Sequence, residues 1–398
     1  MKIWYFSETA YPYLPPAETY DSVRVDLPNR HYDPEKGAAL YDRFIDEWVL
    51  ATEEGMEIMM NEHHQTPTCV DPAAPLVLAA LARVTRKGRI LILGNPIANR
   101  RQPVRVAEEM ALADILSHGR IDVGFVRGVP FEISPANSNP VYMNERHWEA
   151  LDLIVKCWTE HDGPFSHEGR YFHSRRINIW PRPFQTPHPP IWVSTTTPSG
   201  AARVGGRGYI QATFLTGFRV TPTVFASYRA GWRGAGRGDN VAVNRLAYCA
   251  FVYAGDTEAE ARANAQKLLW HIAINKIAPQ FVFPPGYATV AATAQRLRAG
   301  AGGPASTFPR IETVDQAIEA GIMFAGTPDQ VYRQIANFYR RVGGFGHLLV
   351  IGQSGFLDHD STERGIKLLA REVYPRLKAE FADDAISADP PPASSAAE

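Results

Sequence analysis

The sequence predicts a single (β/α)8 TIM barrel with insertions on the C-terminal face of its strands. Short apolar runs alternate along the 398 residues with longer segments of helical period, which is the pattern of βα units around a parallel sheet. Eight runs qualify as strands, the number that closes such a barrel. They are residues 3–7, 57–61, 89–95, 121–126, 190–194, 209–215, 245–253 and 347–352.

Between the strand candidates, apolar side chains recur at three- and four-residue spacing, as on the buried face of a helix. In residues 40–54 these positions are Tyr41, Phe44, Ile45, Trp48 and Val49. Gly55 then supplies a helix stop, and Pro103 stands where the third helix is predicted to begin. A fourth helix is predicted over residues 144–160.

Residues 1–382 are predicted to form one domain, because no internal repeat and no change of composition marks a second one. Residues 383–398 contain three consecutive prolines followed by Ser and Ala, with too few large apolar side chains to pack. We expect this tail to be disordered.

Composition and charge favour an ordinary globular enzyme that acts on small molecules. Hydrophobic residues make up 45% of the chain and charged residues 21%. The 41 Lys and Arg nearly balance the 42 Asp and Glu, so the net charge recommends neither a nucleic acid nor an anionic membrane as partner. Three dispersed cysteines and the lack of a signal peptide lead us to expect a reducing, cytoplasmic location.

Three segments exceed ordinary loop length, and in a barrel such excess usually belongs to the face where active sites form. Residues 11–39 are rich in Pro and aromatic side chains and are predicted to be an ordered cover. Residues 131–142 and the Pro-rich residues 165–189 surround the fourth helix. Residues 279–327 are the best candidate for a mobile lid.

A run of polar residues follows the second strand candidate directly: Asn61, Glu62, His63, His64 and Gln65. Because barrel enzymes place catalytic groups at the carboxyl ends of their strands, we predict that Glu62, His63 and His64 are catalytic. The alternative is a loop-capping hydrogen-bond network, which is the commoner role for a lone histidine.

A metal site is the rival interpretation, since His and Glu bind zinc and iron. The spacing argues against it, because successive strand side chains point to opposite faces and adjacent histidines cannot both point into the barrel. The sequence has no HExxH motif and no cysteine or carboxylate cluster at matching strand ends. We therefore expect no metal.

Two neighbouring strand ends predict an anion site. The fourth strand candidate ends at Arg127 beside Gly128, which places a permanent positive charge at the rim. The fifth continues through hydroxyl residues into a short helix predicted over residues 201–206, whose first N–H groups favour a phosphate. The residues of this stretch are Ser194, Thr195, Thr196, Thr197, Pro198, Ser199 and Gly200. An ordinary Ser/Thr helix cap is the alternative explanation.

The third strand candidate ends in the sequence Gly94, Asn95, Pro96. This sequence indicates a sharp bend, with either a cis Asn95–Pro96 peptide or an ordinary trans turn. A flat cofactor could lie on such a bulge.

Together these residues resemble the flavin-dependent monooxygenases related to bacterial luciferase, over most of the chain. The resemblance rests on four motifs in order and at βα spacing, a specific combination although each motif alone is weak. The motifs are Glu62-His63-His64, the run QPVRVAEE at residues 102–109, His118-Gly119-Arg120 and Val126-Arg127-Gly128.

The resemblance implies that reduced FMN reacts with O2 to a C4a-peroxide, which oxygenates a second substrate. The aromatic side chains of the predicted covers favour a small apolar or ring-bearing organic molecule, although core packing explains them equally well. His63 matches the active-site histidine of the family, an acid/base or hydrogen-bonding group, with His64 in support. Asn95 and Pro96 would lie beneath the isoalloxazine. The resemblance also implies a separate NAD(P)H-dependent flavin reductase and a homodimer. The residues that would hold the FMN phosphate are Arg127, Thr196, Thr197, Ser199 and Gly200.

The chain departs from luciferase at Val126, where luciferase has a reactive cysteine, and at Thr196, where it has a glutamate. These differences argue against light emission from long-chain aldehydes. Two alternatives stay open, namely hydride transfer with the deazaflavin F420 and a non-catalytic flavin-binding subunit. No Gly-x-Gly-x-x-Gly follows a strand candidate, so a built-in NAD(P)H domain is not expected.

Overall fold

The computed structural model describes residues 1–387 except 275, 276, 289, 291, 292, 295–310 and 383–385. Its strands form a closed parallel barrel surrounded by helices, so the predicted fold class is confirmed. In chain order the strands are β1 (Lys2–Ser7), β2 (Glu57–Met60), β3 (Ile90–Pro96), β4 (Ile121–Val126), β5 (Phe165–Glu168), β6 (His173–Ile177), β7 (Ile191–Ser194), β8 (Ile210–Phe214), β9 (Val241–Ala242), β10 (Leu246–Ala254), β11 (Met323–Gly326), β12 (His347–Gln353) and β13 (Ile386–Ser387).

The eight predicted strands make the barrel, in the order β10-β12-β1-β2-β3-β4-β7-β8, and a pairing of β8 with β10 closes the ring. The other strands are additions that the sequence did not reveal. β5 and β6 form an antiparallel hairpin, β9 pairs antiparallel with β13, and β11 joins the edge of β10. Residues 246–249 of β10 pair with β8, whereas residues 251–254 pair with β11, so the wall branches at Ala250.

Helices cover the outside of the barrel. Helix α1 shows how the sequence sets a boundary, because the Asp33 side chain accepts from the backbone N–H groups of Glu35 and Lys36, and Pro34 occupies the first turn. The helices are α1 (Pro34–Glu53), α2 (Ala74–Val84), α3 (Pro103–Leu116), α4 (Met143–Thr159), α5 (Pro198–Arg207), α6 (Gly217–Gly234), α7 (Glu258–Leu268), α8 (Trp270–Ala273), α9 (Pro279–Val282), α10 (Val314–Ala320), α11 (Pro328–Val342), α12 (His359–Leu368) and α13 (Tyr374–Glu380).

The apolar core has two layers, because alternate strand side chains point to opposite faces of the sheet. One layer lies between the strands and the helices and includes Tyr5, Trp48 and Trp158. The other fills the inside of the barrel. The interior side chains include Trp4, Phe6, Met59, Leu91, Leu93, Trp192, Cys249, Phe251, Leu349 and Ile351.

The base of the barrel, where the strands begin, contains buried polar groups that pair with one another. Trp4 Nε1 donates to Nδ1 of His347 at 3.0 Å, and His347 Nε2 lies 3.0 Å from the carbonyl oxygen of Asn244. Trp192 Nε1 donates to Oδ2 of Asp122 at 2.7 Å, and Arg89 forms an ion pair with the other oxygen of Asp122. Burial lowers the pKa of His347 to about 3, so this imidazole is neutral at physiological pH.

The predicted bulge on the third strand is present. The register of β3 against β4 shifts between Ile92 and Asn95. Of the two alternatives for the Asn95–Pro96 bond, the trans form is present, and a cis peptide lies two bonds earlier, between Leu93 and Gly94. Glycine at positions 94 and 124 allows the backbones of β3 and β4 to come close together here, since a Cβ on Gly94 would lie 3.0 Å from the Gly124 carbonyl oxygen.

The segment predicted as a mobile lid, residues 279–327, is partly regular structure. Its last part forms α10 and β11, and Met323–Gly326 is buried against β10. This part was therefore wrongly assigned to a lid, because a short buried strand preceded by Gly321 resembles a loop in sequence. The central residues 295–310 lie outside the described residues. Most of the tail predicted to be disordered also lies outside them.

Among the helices that the structure describes, none is both long enough and apolar enough to cross a lipid bilayer.

Candidate active site

The polar run after β2 lies at the carboxyl end of the barrel. Asn61 is buried, and its Nδ2 donates to Oε2 of Glu8, the residue after β1, at 2.8 Å. Cys69 Sγ donates to Oδ1 of Asn61 at 3.4 Å and lies 3.3 Å from the Thr9 hydroxyl. These hydrogen bonds fix the chain as it enters His63.

His63 forms a pair with Glu132, from the loop after β4. Nδ1 of His63 lies 2.8 Å from Oε1 of Glu132, and the same oxygen accepts from the backbone N–H of His64 at 3.0 Å. Burial alone would raise the pKa of Glu132, but the charge and hydrogen bond of His63 and the His64 N–H lower it below its usual range. Glu132 is therefore ionised near neutral pH. Nδ1 of His63 therefore donates to it, and Nε2 of the imidazole stands outside this pair.

His64 belongs to a second chain of polar groups. Its Nε2 lies 3.1 Å from Oε1 of Glu62, and Arg100 forms an ion pair with the same oxygen. The hydrogen bond to Glu62 raises the pKa of His64, although burial opposes the shift. Burial, and secondarily the charge of Glu62, raises the pKa of nearby Asp71 to about 7. Glu62 and His64 thus lie beside the His63–Glu132 pair.

Two further buried groups, His271 and Arg24, lie at this end of the barrel. His271 Nε2 lies 3.7 Å from Oε1 of Glu8, and burial lowers the pKa of His271 to about 4. Arg24, from the N-terminal cover, is 4% exposed, and its guanidinium lies 4.8 Å from the centroid of the Phe131 ring. Its Nε and Nη1 have no hydrogen-bond partner among the described residues, so an oxygen of a ligand would satisfy them.

Two asparagine side chains, Asn95 at the end of β3 and Asn99 just after it, lie next to β4. These two side chains are called the polar bed below. Asn95 Nδ2 lies 3.4 Å from the Gly124 carbonyl oxygen, and its buried Oδ1 has no partner in the described part of the chain. The buried amide nitrogen and oxygen of Asn99 also have none there. A Cβ on Gly128 would lie 2.8 Å from Asn99 Nδ2, so glycine at this position lets the segment after β4 contact the segment after β3. Pro96 is buried and pairs with Val126.

The predicted anion site is an exposed helix start. Helix α5 begins at Pro198, three residues earlier than the sequence predicts, because Thr197 serves as its N-cap. The Thr197 hydroxyl accepts from the backbone N–H of Gly200 at 3.3 Å. A Cβ on Gly200 would lie 2.5 Å from the Thr195 hydroxyl, so a larger residue here would require the Thr195 side chain to move. Thr196, Thr197 and Ser199 are exposed around it.

Arg127 extends from the neighbouring strand, since β4 pairs with β7 up to Phe125 and Val193. Its guanidinium lies 3.7 Å from the centroid of the Tyr287 ring, and Nη1 is 3.4 Å from the Tyr287 carbonyl oxygen. The structure therefore puts Arg127 and the Thr197 cradle on adjacent strand ends. His63 is two strands away from β4, across the polar bed.

The arrangement fits a flat cofactor with a phosphate, such as a flavin mononucleotide. The amide group of Asn99 and Oδ1 of Asn95, which have no partner among the described residues, can bond the polar edge of a ring system, and the Gly200 cradle with Arg127 can hold a phosphate. Within the described residues, no three His, Cys, Asp or Glu side chains converge as metal ligands would.

Sequence reasoning missed Glu8, Arg24, Glu132 and His271. A signal existed for two of them, because Glu8 directly follows the first strand and Glu132 lies six residues after the fourth. Arg24 and His271 come from the cover and from α8, and their place in the chain carries no mark of the site. Only the folded structure brings them to the same rim.

Comparison with known proteins gives two curated relatives that differ in cofactor. A flavin-dependent trigonelline monooxygenase, oxygenase component, of Acinetobacter baylyi is 31% identical over 171 residues, 42% of this chain and 46% of that protein. An F420-dependent hydroxymycolic acid dehydrogenase of Mycobacterium tuberculosis is 31% identical over 170 residues, 41% of this chain and 44% of the relative. The chain thus matches slightly less than half the length of these relatives.

A solved structure shares the fold over nearly the whole chain. It is the oxygenating constituent of 3,6-diketocamphane monooxygenase of Pseudomonas putida, a type II Baeyer–Villiger monooxygenase in complex with FMN. The TM-score is 0.69 at 19% identity, covering 94% of this chain and 98% of that one. The family model described as luciferase-like monooxygenase matches residues 27–344, which run from within the N-terminal cover to just before β12. The chain therefore belongs to the luciferase-like monooxygenase family.

Proposed function

We propose that this protein is the oxygenase component of a two-component monooxygenase, which uses FMNH2 and O2 to oxygenate a small, largely apolar organic molecule. The observation that carries the proposal is that the His63–Glu132 pair lies at the same end of the barrel as buried polar atoms of Asn95, Asn99 and Arg24 that have no partner among the described residues. Buried polar groups are normally satisfied, and a group of them without partners marks a ligand site. The family relation makes a flavin the ligand of choice.

The residues of the chain divide the work of binding. Arg127 and the cradle of Thr196, Thr197, Ser199 and Gly200 would hold the phosphate, and Asn95, Pro96 and Asn99 would support the ring system. Bound reduced FMN supplies the electrons that activate O2.

His63 would exchange a proton with the reacting molecules at Nε2. Ionised Glu132 accepts from Nδ1 and so orients the ring, while the Glu62–His64 hydrogen bond supports the chain beside it. A positioned histidine of this kind is typically worth about 100- to 10,000-fold in rate.

The described part of the cover excludes water from this rim. Phe131, Ile277 and Val282 form a buried apolar cluster, against which Val25 and Phe283 pack. The cluster joins the N-terminal cover, the loop after β4 and the segment around α9. A dry pocket strengthens electrostatic interactions inside it and favours apolar substrates.

Two protein partners belong to the proposal. The chain has no recognisable nucleotide-binding fingerprint for NAD(P)H, so a separate NAD(P)H:flavin reductase would supply FMNH2.

A homodimer is supported by an apolar surface on α2 and α3, where Leu76 is 74% exposed and Leu112 48% exposed. A groove of about 360 Å³ runs between these helices. Leu76→Glu with Leu112→Glu is expected to yield a monomer by light scattering.

The function is tested by mixing the protein with chemically reduced FMN and then with oxygenated buffer in a stopped-flow instrument. We expect that bound FMNH2 returns to oxidised flavin more slowly than free FMNH2. A panel of apolar and ring-bearing compounds with 18O2 then reports oxygen incorporation by mass spectrometry. Reoxidation at the rate of free flavin, with no flavin binding, contradicts the proposal.

Parallel titrations with F420 decide between the two cofactors of the relatives. Tighter binding of F420 than of FMN, with hydride transfer and no O2 uptake, would point to the dehydrogenase branch. A non-catalytic subunit would bind flavin but give the same reoxidation rate in wild type and His63→Ala.

A further inference from the structure

Tyr287, a residue of the segment after α9, is bound to the end of β4 at three points. The Arg127 guanidinium carbon lies 3.7 Å from the centroid of its ring. Its hydroxyl donates to the carbonyl oxygen of Gly128 at 2.9 Å, and its own carbonyl oxygen accepts from Arg127 Nη1 at 3.4 Å. These contacts restrain the arginine that the proposed function assigns to the phosphate.

A separation of 3.7 Å between the guanidinium carbon and the ring centroid is typical of a planar cation that lies on a ring face. The five N–H donors of arginine lie in its plane, so a ring stacked on the face leaves most of the edge free for an oxyanion. A long arginine side chain otherwise loses much rotamer freedom when it binds a ligand. Stacking on Tyr287 removes part of this freedom beforehand, which favours phosphate binding.

The same residue ties the segment around α9 to the rim. Val282 belongs to one buried apolar cluster with Phe131 of the loop after β4, and Phe281, Phe283 and Val129 pack against this cluster. Gly286 lies so close to Val141 that a Cβ there would be 2.4 Å from Val141 Cγ2. The segment is thus seated on the loop that carries Arg127.

We propose that Tyr287 is a positioning residue that holds Arg127 ready for the FMN phosphate, and that phosphate binding and seating of residues 281–288 are thereby coupled. The inference rests on the FMN site of the proposed function. Coupling between two binding events is reciprocal, so the phosphate that favours a fixed Arg127 also favours the seated segment. Residues 281–288 are therefore held in place more strongly when FMN is bound than when a flavin without phosphate is bound.

The experiment compares the affinities of FMN and riboflavin, because the two differ only in the phosphate. Flavin fluorescence is titrated with wild type, Tyr287→Leu, Tyr287→Phe and Arg127→Gln. We expect Tyr287→Leu to weaken FMN binding roughly 3- to 30-fold, the range of a cation–π contact, and riboflavin binding less than about twofold. Tyr287→Phe keeps the ring and is expected to change FMN binding less than about threefold.

A matched control is Tyr142→Leu, which removes another cation–π contact of the same face, 5.9 Å from Arg170. It is expected to leave both flavin affinities unchanged. The double variant Tyr287→Leu, Arg127→Gln is expected to bind FMN no more weakly than Arg127→Gln alone, since the ring acts through the arginine.

A second measurement uses the wild type and does not depend on a variant that folds. Chymotrypsin can cleave after Phe281 and Tyr287, and we expect FMN to protect these two bonds more than riboflavin does at equal saturation. The difference is expected to vanish in Arg127→Gln.

Three results overturn the inference. They are equal protection by FMN and riboflavin, equal loss of both affinities in Tyr287→Leu, and tighter FMN binding in Tyr287→Leu, which would mean that the ring competes with the phosphate. If Arg127→Gln leaves the ratio of FMN to riboflavin affinity unchanged, the phosphate site of the proposed function fails as well. A loss of this ratio in Arg127→Gln but not in Tyr287→Leu overturns only the role of Tyr287.

Discussion

The two ends of the barrel bury polar groups in different ways. At the base, Trp4, Trp192, His347 and Asp122 bond one another or the backbone. At the opposite end, buried atoms of Arg24 and of several amides and carboxylates have no partner among the described residues. The carboxylate atoms are Oε2 of Glu62, Oε2 of Glu132 and Oδ2 of Asp71.

This difference separates structural from functional burial. A satisfied polar layer can close the base of a barrel and stabilise it, because each desolvated group recovers a hydrogen bond. Unsatisfied groups cost stability in the free protein, and a ligand that pairs with them recovers that cost. The presence of a buried histidine therefore does not by itself identify a ligand site. Whether the buried polar groups around it have hydrogen-bond partners is the better indicator.

The strongest test of the comparison is His63→Ala. We expect product formation to fall at least about 100-fold, because the proton-exchanging Nε2 is lost, while FMN affinity stays within about threefold. Glu132→Gln is expected to lower the rate less, and to shift the pH profile, since an amide cannot hold the imidazole through a charge. A His63→Ala variant that keeps a tenth of the activity removes the proposed role.

The counterpart at the base is Asp122→Ala. It leaves Arg89 and the indole N–H of Trp192 without their acceptor, and we expect about 3 kcal/mol less free energy of unfolding. FMN affinity is expected to stay unchanged below the melting temperature. Urea unfolding and flavin titration check both statements, and a large change in FMN binding would show that the two ends are not independent.

Asp71 provides a test that depends on pH. Its pKa is raised to about 7 in the folded protein, mainly by burial, and is near 3.9 in an unfolded chain. The folded state therefore binds the proton more tightly, and stability falls as pH rises from about 4 to about 7, by about 1.4 kcal/mol per unit. Wild type should lose this stability relative to Asp71→Asn between pH 5 and 7. Parallel curves for the two proteins would contradict the raised pKa.

The smallest expected effect concerns two helix N-caps, one at the proposed phosphate site and one away from it as a control. Thr197 and Thr257 each accept from a backbone N–H three residues on, at 3.3 Å. Replacement of either by Ala is expected to cost about 1 kcal/mol of unfolding free energy. Only Thr197→Ala is expected to weaken FMN relative to riboflavin. An equal effect of both variants on FMN would argue against the phosphate cradle.

Most of the barrel was predictable because each strand is a short apolar run with its own turn signals. The eight predicted strands agree with the structure to within a few residues at each end. β11 escaped prediction because four residues, Met323–Gly326, carry too weak a pattern. Such a strand is defined by its partner β10 and not by its own sequence.

The site was predictable only where its residues follow strands directly. His63, Arg127 and Thr197 were predicted in this way, because strand ends share one rim. Glu132 is 69 residues from His63, and its role depends on how the loop after β4 folds back. Local pattern holds no information on such a contact, and tertiary packing decides it.

The branch in the wall at Ala250 has a consequence for how such an enzyme could diversify. The base is a closed cylinder, whereas near the top β10 exchanges β8 for β11 as its neighbour. The mouth can therefore be widened or narrowed through the length of β11 and its flanking segment without disturbing the cylinder below. For protein engineering, this strand is the natural place to graft or trim chain when a bulkier substrate is wanted.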